Sequence, residues 1–319
     1  MTMMKAIQVK AKGEPLTLVT VPVPEPGEGQ VLLKVEACGI CRGDALVLEG
    51  AASSYPRIPG HEVIGRVAKL GPGASKWKIG ERVGTGWHGS HGETTGLTMN
   101  GGYAEYMVAY EDALIAIDDR ITSEEAAPLL CAGETVFSAL RNSKARPGDL
   151  VAVSGIGGLG HLAVQYAQKA GFEVAAISRG SDKKELALKL GAHHYLDSTK
   201  DDVPAALQAL GGAKAILATA PSAKAISPLI GGLCKGGELI ITAVSNEPLS
   251  WTPMSFLAGP NTVKGTFTSF EEMKAAVKFS VLTNVRPIVE VFPLEKAQEA
   301  FDRMMAAKTH FRAVLKPAP

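Results

Sequence analysis

Cysteine is scarce in this chain. Only Cys38, Cys41, Cys131 and Cys234 occur in 319 residues, too few and too scattered for a disulfide framework. Reduced thiols are expected instead, some of them available to a metal. Excess charge is missing too. Lys and Arg number 33 against 32 Asp and Glu, for a formal net charge of +1. With no run of Lys or Arg either, there is no field to draw in nucleic acid or an anionic membrane. No apolar run is long enough to span a bilayer, and the opening M-T-M-M-K-A-I-Q-V-K lacks the apolar region of a signal peptide. The expectation is a soluble, cytoplasmic protein. Internal repeats, low-complexity tracts and long linkers are absent as well.

What is present suits two domains and a large core, with 46% of residues hydrophobic. Up to about residue 120 the texture is that of short strands, at Leu16–Val23, Gln30–Glu36, Val63–Leu70, Arg82–Thr85 and Tyr103–Ala109. Gly and Pro punctuate them closely, as in Pro59-Gly60 and Gly71-Pro72-Gly73. This predicts a compact, barrel-like β domain over 1–122. From Ser123, read as a helix cap, a helix is predicted through Cys131 to about Arg141. Strands and helices then alternate, with strands at Leu150–Ser154, Glu173–Ser178, Ala215–Ala218 and Glu238–Ala243. That alternation predicts an α/β, doubly wound parallel sheet over 123–267. Residues 268–319 carry helix, strand, helix and strand, and could return to the first domain.

The second domain is organised around L-V-A-V-S-G-I-G-G-L-G-H, residues 150–161. A β-branched run enters Gly155, Gly157 and Gly160, spaced as G-x-G-x-x-G, and an amphipathic helix follows. Gly155 permits the tight turn, Gly157 lets backbone approach a pyrophosphate, and Gly160 lets helix and strand pack closely. The helix N-terminus offers free N–H groups to the phosphates.

Three upstream segments carry candidate metal ligands: V-E-A-C-G-I-C-R-G-D (35–44), P-G-H-E-V-I-G (59–65) and P-L-L-C-A-G-E-T (128–135). A catalytic zinc needs about three N or S ligands and one open position. Taken singly, the residues have plainer readings. Cys38 and Cys41 could be a redox C-x-x-C, since no second pair exists to complete a zinc ribbon. His61 could be a turn histidine, and Cys131 a buried helix cysteine.

Taken in order with G-E-R-V-G-T-G-W-H-G, G-G-Y-A-E-Y, the glycine loop and the closing F-P-L-E-K-A-Q-E-A-F, these segments resemble the medium-chain dehydrogenase/reductase family, and within it the zinc-dependent alcohol dehydrogenases. The resemblance covers nearly the whole chain. It implies a Rossmann domain joined to a GroES-like catalytic domain. It implies a catalytic zinc on Cys41, His61 and Cys131, with Cys38 not a ligand. Glu62 falls where an acid can approach the metal, and Asp44 where a carboxylate orients the histidine ligand. Arg42, Thr135, Gly155, Gly157, Gly158, Leu159, Gly160 and Val244 fall at cofactor positions. Trp87, and more weakly Tyr55, fall in the substrate pocket. The implied chemistry is hydride transfer between a nicotinamide and a small alcohol or aldehyde at a Lewis-acidic metal. A homodimer or homotetramer is common in that family.

The chain departs from the family pattern at two places. The 87–103 segment has none of the four cysteines that hold a second, structural zinc, so one zinc per chain is expected and His88 and His91 read as loop residues. Position 43, where a Ser or Thr usually begins a proton relay, is Gly; Ser53 and Ser54 are the nearby hydroxyls in sequence. The second nucleotide-domain strand ends at Ser178-Arg179-Gly180, with Lys183 and Lys184 just beyond. No acid is present there to accept from a ribose 2′-OH, and Ser178, Arg179 and Lys183 suit a 2′-phosphate, which favours NADP(H). Two other readings stand beside this one: a metal-free quinone or enone reductase of the same fold, and a non-catalytic nucleotide-binding relative.

Overall fold

Residues 2–257 and 259–318 are described by the computed structural model. In chain order its strands are β1 (Met3–Gln8), β2 (Thr17–Pro22), β3 (Gln30–Ile40), β4 (Val63–Leu70), β5 (Arg82–Thr85), β6 (Tyr106–Tyr110), β7 (Ile115–Ala116), β8 (Leu150–Ser154), β9 (Glu173–Ser178), β10 (His194–Asp197), β11 (Ala213–Ala218), β12 (Leu233–Ile241), β13 (Thr262–Gly265), β14 (Val289–Pro293) and β15 (Arg312–Lys316). They fall in two compact units. Unit 1 comprises Met1–Ala132, Ser269–Leu282 and Arg286–Pro319, and unit 2 comprises Gly133–Thr268 with Thr283–Val285.

Unit 1 is built on β3. Its eleven residues are mostly apolar and buried on both faces, with only Lys34 exposed. Such a strand needs partners on both edges. It pairs antiparallel with β4, with β6 along Gln30–Lys34, and with β15 along Cys38–Ile40. The sheet runs β14-β15-β3-β4-β5-β7. Register shifts in the β3–β4 pairing at Leu32/Leu33 and Val35/Ala37 bend it into the GroES-like form. The core beneath it takes Val31, Val35, Val63 and Met107 from the strands, and Leu294, Ala297 and Phe301 from the C-terminal segment. The strand reading stopped β3 at Glu36. Four more residues belong to it, and they carry Cys38 and deliver the chain to Cys41.

The predicted single helix from Ser123 to Arg141 is not continuous. Thr122, not Ser123, is its cap, in a capping box with Glu125. The helix Ser123–Ala126 passes into a 3-10 turn, Ala127–Leu130, with Pro128 inside it, and a new helix, Ala132–Arg141, starts after Cys131. Proline removes an N–H donor and blocks regular winding. Cys131 sits at the break with φ −136° and ψ −69°, so its side chain is aimed independently of either helix. Residues 123–132 belong to unit 1 although the β domain was expected to end at 122. Ser123 is tied to Arg82 and Glu36 by hydrogen bonds of 2.8 and 2.6 Å.

The segment between β5 and β6, residues 86–105, is pinned by Arg57, which is buried. Its guanidinium donates to Asn100 Oδ1 (3.3 Å), Ser53 Oγ (3.1 Å) and Ser54 Oγ (2.8 Å). Asn100 also accepts from the Ile58 amide at 3.1 Å. Ser53 and Ser54 are therefore committed to this clamp.

Unit 2 is a six-stranded parallel sheet in the order β10-β9-β8-β11-β12-β13. β8 is wholly buried, as a central parallel strand must be. Counted from β8, the order is 3-2-1-4-5-6, the Rossmann arrangement, in which ligands gather where the winding reverses, here between β8 and β11. β10 escaped the sequence reading because His194-Tyr195-Leu196-Asp197 lacks an apolar run, and its four residues are only half-buried.

Candidate metal centre and nucleotide loop

Cys41 follows directly from the end of β3 and opens a 3-10 turn, Arg42–Asp44. His61 and Glu62 lie just before β4, and Cys131 at the helix break. The fold brings all four together: one ligand atom from each of Cys41, His61, Glu62 and Cys131 lies within 4.8 Å of every other. Among the described residues, no other cluster of three or more His, Cys, Asp or Glu is grouped in this way. The two sulfurs are 3.7 Å apart. Cys38 is fully buried and is not among the four, and burial pushes its thiol well above the usual range. Cys234 lies on β12 in unit 2.

Asp44 organises the centre. It is buried and accepts four hydrogen bonds: from His61 Nδ1 (3.0 Å), Tyr103 OH (2.7 Å), the Cys41 amide (2.9 Å) and the Gly60 amide (3.2 Å). With the carboxylate on Nδ1, the proton of neutral imidazole is held there and Nε2 keeps its lone pair. Nε2 is buried and makes no hydrogen bond of acceptable geometry. A buried nitrogen left in this way is costly unless something binds it.

Glu62 is held from the other side. Arg312, on β15, donates to Glu62 Oε1 and to the Ile40 carbonyl. Glu62 Oε2 is buried and unpartnered. Gly39 is required beneath it, because a Cβ there would lie 1.9 Å from that oxygen. Burial, and then the negative Cys41, raise the Glu62 carboxyl to about 7 against the pull of Arg312. Arg312 stays charged, because Glu62 and both sulfurs outweigh its burial. The Cys41 thiol is drawn well below its ordinary range, first by a hydrogen bond from Cys131 and then by His61, in spite of burial. Cys131 is pushed well up by that same hydrogen bond and by burial. Burial works against a charged His61, but Asp44 and Cys41 prevail and raise it, so a metal at Nε2 would have to displace a proton.

Two sulfurs, one imidazole nitrogen that can give a lone pair once its proton leaves and one half-neutralised carboxylate are a donor set suited to zinc, and the orphaned Nε2 gives the site its direction. Sequence reasoning missed Tyr103 and Arg312. A lone Arg in the apolar closing strand F-R-A-V-L-K was the available signal for Arg312.

Trp87 stands against His61, with ring centroids 4.8 Å apart and planes at 89°. Tyr55 donates its hydroxyl to the Val47 carbonyl and packs against the unit 1 core, so its polar end is committed to the backbone. Arg42 is exposed on the 3-10 turn. His91 packs against Tyr110 with centroids 4.5 Å apart, and His88 pairs with Thr94.

In unit 2 the three glycines of the loop have distinct surroundings. Gly155 has φ +101°, which L side chains rarely adopt. A Cβ on Gly160 would lie 1.8 Å from the Gly155 carbonyl, whereas one on Gly157 would meet nothing within 4 Å. Gly158 and Leu159 lead into the helix Gly160–Lys169. Thr219, absent from the sequence-level candidates, locks the loop by donating to the Ser154 and Gly155 carbonyls at 3.0 and 2.5 Å. Ser178 is half-buried and Arg179 exposed beyond β9. Lys183 donates to the Ile156 carbonyl at 2.7 Å, so its ammonium braces the glycine loop. Thr135 is half-buried in the first turn of its helix, where its carbonyl accepts from Thr266 at 3.1 Å. Val244 is exposed beyond β12.

Comparison with known proteins agrees with this geometry. Residues 27–119 match the family described as "Alcohol dehydrogenase GroES-like domain", and residues 158–281 match "Zinc-binding dehydrogenase". The chain is 42% identical over 324 residues to alcohol dehydrogenase patD of Penicillium expansum, covering 96% of this chain and 95% of that protein. It is 35% identical over 336 residues to an alcohol dehydrogenase of Geobacillus stearothermophilus, covering 98% and 99%. Among solved structures it is similar to CAD from Helicobacter pylori complexed with NADP(H), with a TM-score of 0.85, 27% identity and coverage of 99% and 98%. The chain therefore belongs to the zinc-type medium-chain dehydrogenase/reductases, a family of oxidoreductases.

Proposed function

We propose that this protein is a zinc-dependent alcohol dehydrogenase or aldehyde reductase that uses NADP(H). The observation that carries this reading is the convergence of Cys41, His61 and Cys131, with His61 Nε2 buried and unpartnered. The relatives named above are alcohol dehydrogenases, which supports a small alcohol or aldehyde as substrate. One zinc per chain is proposed.

Zinc, when bound, would supply a Lewis acid to the substrate oxygen, and the nicotinamide would carry the hydride. The chain's own residues prepare for this. Cys41 and Cys131 would bring negative charge to the site, and Asp44 fixes the His61 tautomer. Glu62 holds a carboxylate oxygen in reserve at the centre, restrained by Arg312. In unit 2 the backbone amides at the start of the Gly160 helix would receive the pyrophosphate. Ser178 and Arg179 would receive the 2′-phosphate. Arg179 forms no salt bridge among the described residues, and Asp197, opposite Ser178 in the strand register, is occupied by the Gly180 amide and Thr199. The NADP(H)-bound neighbour supports the same cofactor. The free cysteines suit a reducing, cytoplasmic setting. β13, the outer strand of its sheet, offers an edge for a homodimer or homotetramer.

The test pairs zinc analysis with NADPH oxidation over a panel of small aldehydes. One zinc per chain and chelator-sensitive turnover are expected. Chelator-insensitive reduction of quinones or enones would replace this reading with the metal-free one. Retained NADPH binding without any turnover would leave a non-catalytic relative. For the cofactor, Ser178→Asp with Arg179→Ala should weaken NADPH by about tenfold to a hundredfold, the worth of lost hydrogen bonds to a charged group. NADH should be little affected. Equal losses for both would sink the NADP(H) assignment.

A further inference from the structure

Gly43 has no backbone reason to be glycine. Its φ lies outside the left-handed range that glycine alone tolerates well. Its surroundings supply a different reason. A Cβ at Gly43 would lie 3.2 Å from His61 Cε1, 3.5 Å from Trp87 Cζ3 and 3.7 Å from His61 Nε2. The position is thus walled by the imidazole and the indole together, and the Gly43 amide donates to the Cys41 sulfur at 3.4 Å. His61 is anchored by one hydrogen bond, Nδ1 to Asp44. That bond and the covalent tether at Cγ hold one edge of the ring, and the Cε1–Nε2 edge lies beyond both. The perpendicular contact with Trp87, at 4.8 Å, supplies the second restraint. Edge-to-face geometry of this kind is favourable and directional.

From this contact we propose that Trp87 is a positioning residue that sets the direction of His61 Nε2, and that Gly43 is matched to it, leaving the space in which the indole and imidazole meet. The proposal rests on the reading of His61 as a metal ligand. It assigns Trp87 a task beyond lining a pocket, and it explains an absent side chain by packing. A Cβ at position 43 would ask the imidazole to give by a few tenths of an ångström, and a bulkier side chain would press on the imidazole and the indole together.

Four variants test this: Trp87→Leu, Gly43→Val, their combination, and Trp87→Phe as the conservative rescue. Zinc affinity is measured by chelator competition, and the His61 Cε1 proton is followed by NMR in zinc-free protein, where the indole ring current displaces it. Trp87→Leu and Gly43→Val should each weaken zinc binding by about tenfold to a hundredfold, the usual cost of losing a group that orients a ligand. The combination should be no worse than the weaker-binding single variant, since both disturb one contact. Trp87→Phe should recover most of the affinity, and both single variants should move the His61 proton. Multiplying effects, or zinc affinity within twofold of wild type in Trp87→Leu, would overturn the proposal. So would a His61 proton that stays put in Gly43→Val. If Gly43→Val fails to fold, Gly43→Ala replaces it under the same criteria. A wild-type protein that takes up no zinc overturns the functional reading, and the NMR arm still decides the pairing.

Discussion

The two candidate sites of this molecule are made in opposite ways. The metal centre of unit 1 is assembled from side chains far apart in sequence: Cys41, His61, Cys131 and Arg312. Its His61 and Glu62 are buried and its two cysteines half-buried, and its hydrogen bonds run through Asp44 and Arg312 while His61 Nε2 and Glu62 Oε2 stay unpartnered. The nucleotide loop of unit 2 is one short stretch of chain whose shape is set by backbone and by missing side chains. The first site should therefore fail when an atom is removed, and the second when one is added.

The largest effect is expected from removal. Cys131→Ala deletes a sulfur at a helix break and should abolish zinc retention and turnover. The fold and NADPH affinity should persist, because no core contact is lost and unit 2 is untouched. Metal analysis with cofactor titration checks this, and tight zinc in Cys131→Ala would mean that Glu62 can complete the site alone. Asp44→Asn comes next. It keeps the shape but weakens the partner of His61 Nδ1, for about tenfold to a hundredfold in zinc affinity.

Addition breaks the other site. Gly160→Ala places a Cβ 1.8 Å from the Gly155 carbonyl, so strand and helix must separate. Overpacking of this kind costs about 1–3 kcal/mol, and both nicotinamide cofactors should weaken together. Gly157→Ala is the informative partner. Nothing lies within 4 Å of a Cβ there, so stability should hold, and any loss should appear only in cofactor affinity. If Gly157→Ala binds cofactor normally, backbone at 157 is not where the phosphates rest.

The same contrast governs what could be read without coordinates. The glycine loop is local, so its strand, turn and helix were legible, and Gly155 has the positive φ and Gly160 the close packing that their spacing implied. Parallel strands as apolar as β8 and β9 were equally legible. The metal ligands were not readable from spacing, since ninety positions separate Cys41 from Cys131. Only the resemblance to a known family joined them. Two classes of residue escaped both routes. Tyr103 and Arg312 act through hydrogen bonds across strands distant in sequence, which periodicity does not register. The break at Cys131 was hidden because a helical pattern runs through it, and Pro128, the residue that interrupts it, was outweighed by the apolar positions around it.

The smallest effect is a pH dependence that separates the units through one buried carboxylate in each. Glu62 has Arg312 and His61 pulling it down and Cys41 pushing it up, and its burial raises it to about 7. Glu238, on β12, is also buried, but it accepts from the Lys144 amide and lies 3.4 and 3.1 Å from the ammonium groups of Lys144 and Lys264. Burial alone would raise it, yet these partners hold it below the ordinary value of 4.5. The signs are therefore opposite. For Glu62 the folded form binds the proton more tightly than the unfolded chain. In zinc-free protein the Glu62 contribution is then complete below about pH 4.5 and is lost as pH rises through about 7, by roughly 3 kcal/mol at most. For Glu238 the folded form is the stronger acid, so its contribution is complete above 4.5 and drains away as pH falls through the lowered folded value. Hydrogen exchange of zinc-free protein across pH 4 to 7 reads the two units separately. Protection in β3 and β4 should decline with rising pH, and Glu62→Gln should flatten that slope. Protection in β11 and β12 should decline only on acidification, and Glu238→Gln should flatten that one. A common slope in both units would show that neither carboxylate governs its own unit.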